Sequence, residues 1–74
     1  MNNLDTIKAR KIADQHKKDM AQFGYQPTRR ELGQHVWHDI TPDERAEVME
    51  LVGGAKTIHR RYVMCVDYIA GLVD

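Results

Sequence analysis

An all-α fold, a compact bundle of four short helices occupying residues 1–74 as one domain, is what this sequence predicts. Three observations carry that expectation. Apolar residues recur at helical spacing along most of the chain. Two threonines stand three residues before a glutamate, at Thr28 to Glu31 and Thr41 to Glu44, the signature of a capped helix start. Gly24 and the Gly53-Gly54 pair supply stops.

The first helix is expected from about Leu4 to Phe23, with Leu4, Ile7, Ile12, Ala13, Met20 and Phe23 near one stripe and Gly24 as the left-handed stop. It is long and polar. Its basic pairs Arg10-Lys11 and Lys17-Lys18 lie seven residues apart and therefore on one general side, as a solvated face or a binding face. Tyr25-Gln26-Pro27 must be extended or turned, because a residue before proline avoids helix. Helix two starts at Thr28, offers Leu32, Val36 and Trp37 to the core, and ends at Asp39-Ile40. Gly33 in its middle costs about 1 kcal/mol against alanine unless another backbone packs close there.

Thr41-Pro42-Asp43-Glu44 is the best-marked boundary: a threonine cap, proline at the first helical position and a closing glutamate. Helix three turns Ala46, Met49 and Val52 inward, with Val48 and Leu51 beside them, and stops at Gly53-Gly54. The last helix, from about Ala55 to Val73, begins with the basic turn Lys56 to Arg61 and ends apolar almost all round. Such an end must be central in its fold or covered by another chain. The expected core is Phe23, Leu32, Val36, Trp37, Ile40, Met49, Val52, Ile58, Tyr62, Val66 and Ile69.

Composition bounds the function. A chain of 74 residues buries only about 60% of its unfolded surface, so its stability margin is thin and association is a sensible expectation. The lone Cys65 forms no internal disulfide, which favours a reducing, cytoplasmic setting, and no secretion signal or membrane span is read from the sequence. Net charge is zero, which argues against a generic polyanion binder. The charges are nonetheless segregated. Met1 to His38 carries seven basic residues against four acidic, whereas Asp39 to Gly54 sets five acidic residues against Arg45 alone, and Lys56, His59, Arg60 and Arg61 are basic again.

No catalytic kit is expected. His35 and His38 have a spacing that metal ligands use, but nothing resembles a compact Cys/His set, so neither a metal nor another cofactor is assigned. Cys65 and His59, six apart on one helix, point to different sides. Gly53-Gly54 follows a helix and lacks the lysine of a phosphate loop.

The segment Gly24-Tyr25-Gln26-Pro27-Thr28-Arg29-Arg30-Glu31-Leu32-Gly33 resembles the helix-turn-helix region of LexA-type repressors. The resemblance covers about ten residues. It implies a winged-helix DNA-binding fold, with Thr28 to Val36 as the supporting helix and the next helix in the major groove. Downstream the pattern departs, since Trp37-His38-Asp39-Ile40-Thr41-Pro42 leads into an acidic helix and no strand pair follows for a wing. A second register makes helix three the support, Gly53-Gly54 the turn and Lys56 to Tyr62 the recognition helix, with Lys56, Thr57, Arg60 and Arg61 at base and phosphate contacts.

Two functions are therefore expected, both ending in transcription control. In one, a small non-enzymatic regulator docks on a protein, RNA polymerase or a transcription regulator, as phage-type inhibitors do, through its apolar and charged patches; Lys56, Thr57, Arg60, Arg61, Arg29, Arg30, Lys17 and Lys18 are the candidate partner- or DNA-binding residues. In the other it is a helix-turn-helix repressor, dimeric through its C-terminal helix. The zero net charge and the acidic third helix rank protein docking first.

Overall fold

A computed structural model describes residues 4–73. They form helices α1 (Thr6–Ala21), α2 (Arg29–Asp39), α3 (Pro42–Val52) and α4 (Ile58–Leu72), with no strand among them. The expected all-α bundle is observed, and α2 packs most extensively on α4.

The start of every helix is fixed locally by a side-chain oxygen accepting from the third backbone N–H beyond it: Asp5 for α1, Thr28 for α2, Thr41 for α3 and Thr57 for α4. At Thr28 and Thr41 the glutamate reciprocates, closing both predicted boxes. α1 begins and ends about two residues inside the expected Leu4 to Phe23, and Gly24 (φ 72°) turns the chain behind it while the Tyr25 N–H bonds the Met20 carbonyl at 3.1 Å.

Helix ends are completed by arginines from elsewhere in the fold. Arg45 of α3 donates from Nε to the Trp37 carbonyl (2.9 Å) and from Nη2 to the His38 carbonyl (2.8 Å), holding the last turn of α2. Arg10 of α1 and Arg29 of α2 donate to the Leu72 and Ala70 carbonyls of α4, each at 3.2 Å. Each guanidinium meets carbonyls that the helix leaves unpaired, at the negative end of its dipole.

The core comprises Leu32, Val36, Trp37 and Ile40 of α2 and its cap, Val48 of α3, and Cys65, Val66, Ile69 and Val73 at the end of the chain, closed by Ala9 and Ala13 of α1. The small alanines let α1 lie close, and the His16 and His35 rings stack at 3.8 Å between α1 and α2. One face of the apolar end of α4 is thus central, with Cys65, Val66, Ile69 and Ala70 all buried, while Tyr68 stays exposed and Val63, Met64 and Leu72 are half-buried.

Four expectations are corrected. Phe23, assigned to the core, is 79% exposed because α1 stops before it. Ile58 is 90% exposed, lying on the first turn of α4 beyond the reach of the other helices. Ile7 lies outside the α1 stripe, which runs through the expected Ala13 and through Ala9 instead. On α3 Ala46 faces solvent and the inward position falls to Val48 and, unexpectedly, to Glu44.

Glu44 is fully buried. Its Oε1 accepts from the Thr41 N–H (2.9 Å) and hydroxyl (3.0 Å), and Lys8 Nζ reaches Oε2 at 2.7 Å. Burial pushes the carboxyl toward its neutral form, but the Lys8 ammonium and the Thr41 donors outweigh this and hold its pKa below the usual glutamate value. One residue thereby caps α3 and ties it to α1.

Candidate functional site

The basic residues singled out from the sequence separate by what they touch. Arg29 is engaged with the last turn of α4, and Arg30 Nη2 stands 3.4 Å from Asp67 Oδ1. Lys17 lies at 4.0 Å from Asp14 on the same exposed helix, and Lys18 is exposed beside it. Lys56, Arg60 and Arg61 are exposed and make no ion pair among the described residues. The pairing with acidic α3 that would reduce them to solubilising neighbours is not formed.

Lys56 and Thr57 precede α4 rather than belonging to it, so the helix expected from Lys56 to Tyr62 starts at Ile58. Thr57 caps it, its hydroxyl accepting from the Arg60 N–H at 3.0 Å. Replacing Thr57 with alanine is expected to lower stability by about 1 kcal/mol without changing the fold, measured by urea denaturation. Thr57 is therefore a positioning residue, setting the first turn on which Arg60 and Arg61 project.

Two large apolar side chains on either side of the connection 53–57 stand in water, Ile58 at 90% and Leu51 at 62% exposure. Both sit on stripes that are buried elsewhere. Leu51 follows Glu44 and Val48 on α3 at seven and three residues, and Ile58 precedes Tyr62 and Cys65 on α4 at four and seven. The apolar faces of α3 and α4 overrun the core, leaving an open end bridged by residues 53–57. Sequence periodicity indicated the stripe and missed where it ends.

The remaining candidate chemistry disperses. His35 stacks on His16 while the exposed His38 turns its Nε2 to the Tyr62 hydroxyl at 3.4 Å, so the two do not converge. Among the described residues no group of three His, Cys, Asp or Glu side chains is arranged to hold a metal ion. Cys65 is buried, and burial raises its pKa against the opposing charge of Arg61, which keeps the thiol protonated. At the α1–α2 turn the Tyr25 hydroxyl donates to Glu31 Oε2, which raises the Tyr25 pKa and, together with the Thr28 N–H, lowers that of Glu31. This pairing fixes the start of α2.

No helix among the described residues is long and apolar enough to cross a membrane. No protein-family model, curated protein or solved structure matches the chain.

Proposed function

We propose that the chain is a small non-enzymatic regulator that docks on a protein of the transcription machinery or on a transcription regulator, through the open end formed by α3 and the start of α4. The observation that carries this reading is Ile58, almost wholly exposed on the first turn of α4, close in sequence to Lys56, Arg60 and Arg61, which are exposed and form no ion pair among the described residues. A protein interface is built from an apolar anchor that enters a pocket and a charged rim that orients the approach. DNA recognition needs the cations but has little use for an exposed isoleucine on the same helical turn, although thymine methyl groups give it a limited role.

Its test is capture from a bacterial lysate with identification of what is bound. The wild-type chain is expected to retain RNA polymerase or a transcription regulator in near-equal amount, and Ile58→Asp and the double variant Arg60→Ala, Arg61→Ala to lose it while their circular dichroism is unchanged. Recovery of chaperones alone contradicts the reading. A titration against random-sequence duplex DNA runs in parallel: salt-sensitive binding abolished in the double variant but intact in Ile58→Asp would put the repressor reading ahead.

A further inference from the structure

We propose that, before a partner arrives, the open α3–α4 end is covered by a second copy of the same chain. This deepens the docking reading by naming what competes for that face, and it rests on the same exposed residues. The face is self-complementary in charge. Glu50 is exposed on the last turn of α3, and Lys56, Arg60 and Arg61 are exposed around the first turn of α4, yet no ion pair joins these residues within the chain. Their separation on two neighbouring helices keeps them available. A two-fold axis through the open end sets α3 of each copy beside α4 of the other, so that Glu50 meets the partner copy's cations and Leu51 and Ile58 cover one another.

Nothing long-ranged opposes the approach, because the net charge is zero. The size of the contact limits its strength. The chain's accessible surface totals 5233 Å², and a contact of the usual share for a small protein, about a tenth from each copy, would be roughly 1,000 Å² in all, the lower edge of a specific interface. The pairing is accordingly weak and reversible, which lets a partner displace it.

Sedimentation equilibrium of the full chain over a wide concentration range tests the proposal. The apparent mass of the wild type is expected to rise from 8.6 kDa toward twice that value. Ile58→Asp is expected to stay monomeric at every concentration, with helical content retained because the side chain touches little of the fold. Glu50→Lys alone and the double variant Arg60→Glu, Arg61→Glu alone should each lose pairing, and mixing the two should restore it. A wild type monomeric throughout, or an Ile58→Asp chain that associates as strongly as the wild type, would overturn the proposal. A monomeric wild type that still captures its partner removes only the self-pairing, whereas a dimer that captures nothing removes only the docking function.

Discussion

Gly33→Ala is expected to destabilise the protein by about 1–3 kcal/mol, although alanine is favoured over glycine by about 1 kcal/mol inside an ordinary helix. The reversal has a single cause. A Cβ at position 33 would lie 2.7 Å from the Val66 carbonyl oxygen and 3.2 Å from the Ala70 Cβ. The carbonyl belongs to α4 backbone and has no rotamer into which to retreat, so the two helices must separate along the interface that holds most of the core. Gly33→Val adds two further carbons to the same gap and is expected to leave the chain largely unfolded at room temperature, given the few kcal/mol that a domain of this size has in reserve. Thermal unfolding followed by circular dichroism checks both. An alanine variant as stable as the wild type would mean that α2 and α4 are not in backbone contact.

The second large effect is expected at Lys8. Breaking a buried ion pair by removing one partner costs about 3–5 kcal/mol, but the Lys8 side chain is 45% exposed, and water screens part of the interaction, so about 1–3 kcal/mol is expected for Lys8→Met near neutral pH. The pH dependence carries the diagnostic sign. In the wild type Glu44 has a folded pKa below its ordinary value of 4.5, so its contribution is complete above that value and is lost as pH falls through the folded pKa. With Lys8 gone, burial opposes only the two Thr41 donors and the folded pKa should move up. The stabilisation that ionised Glu44 contributes near neutral pH is then reduced, whereas at low pH Glu44 is neutral in both proteins and the loss of Lys8 matters less. Urea midpoints of wild type and Lys8→Met measured from acid to neutral pH should therefore converge on acidification. Parallel profiles would mean that Lys8 does not govern the ionisation of Glu44.

What was legible in the sequence was local. The caps at Thr28 and Thr41 join groups three residues apart, and such bonds form wherever the chain places them. The glycine in α2 announced a close backbone, and the structure supplies it in Val66. Interactions that span the chain left no signal of their own. The partners Arg10 and Leu72 are 62 residues apart and Arg29 and Ala70 are 41 apart, so both arginines read as surface charge. Lys8 read likewise as an ordinary solvated residue, and Glu44 read only as the glutamate that closes the α3 capping box, with no sign of its burial or of its ion pair with Lys8. At Phe23 and Ile58 periodicity gave a face correctly described as apolar, but the reach of the core depends on where neighbouring helices end. Ala9 was overlooked, although it is as fully buried as Ala13, which the apolar pattern did include. Of the candidate site, the cationic turn at Lys56 to Arg61 was visible in the sequence. The exposure of Ile58 and Leu51, which gives that turn an anchor, was not.

The two guanidiniums on the final carbonyls of α4 have an entropic consequence. Arg10 and Arg29 reach that end from different helices, and Gly33 brings α2 against its middle, so α4 is held at two places along its length. Its first turn projects from a fixed stem. Ordering the backbone of a mobile segment costs roughly 1–2 kcal/mol per residue, whereas here only the long side chains of Lys56, Arg60 and Arg61 remain to be immobilised when the face is covered. Under the docking proposal the same few contacts would therefore yield more net affinity than on a free helix, a benefit of preorganisation open even to a chain of 74 residues.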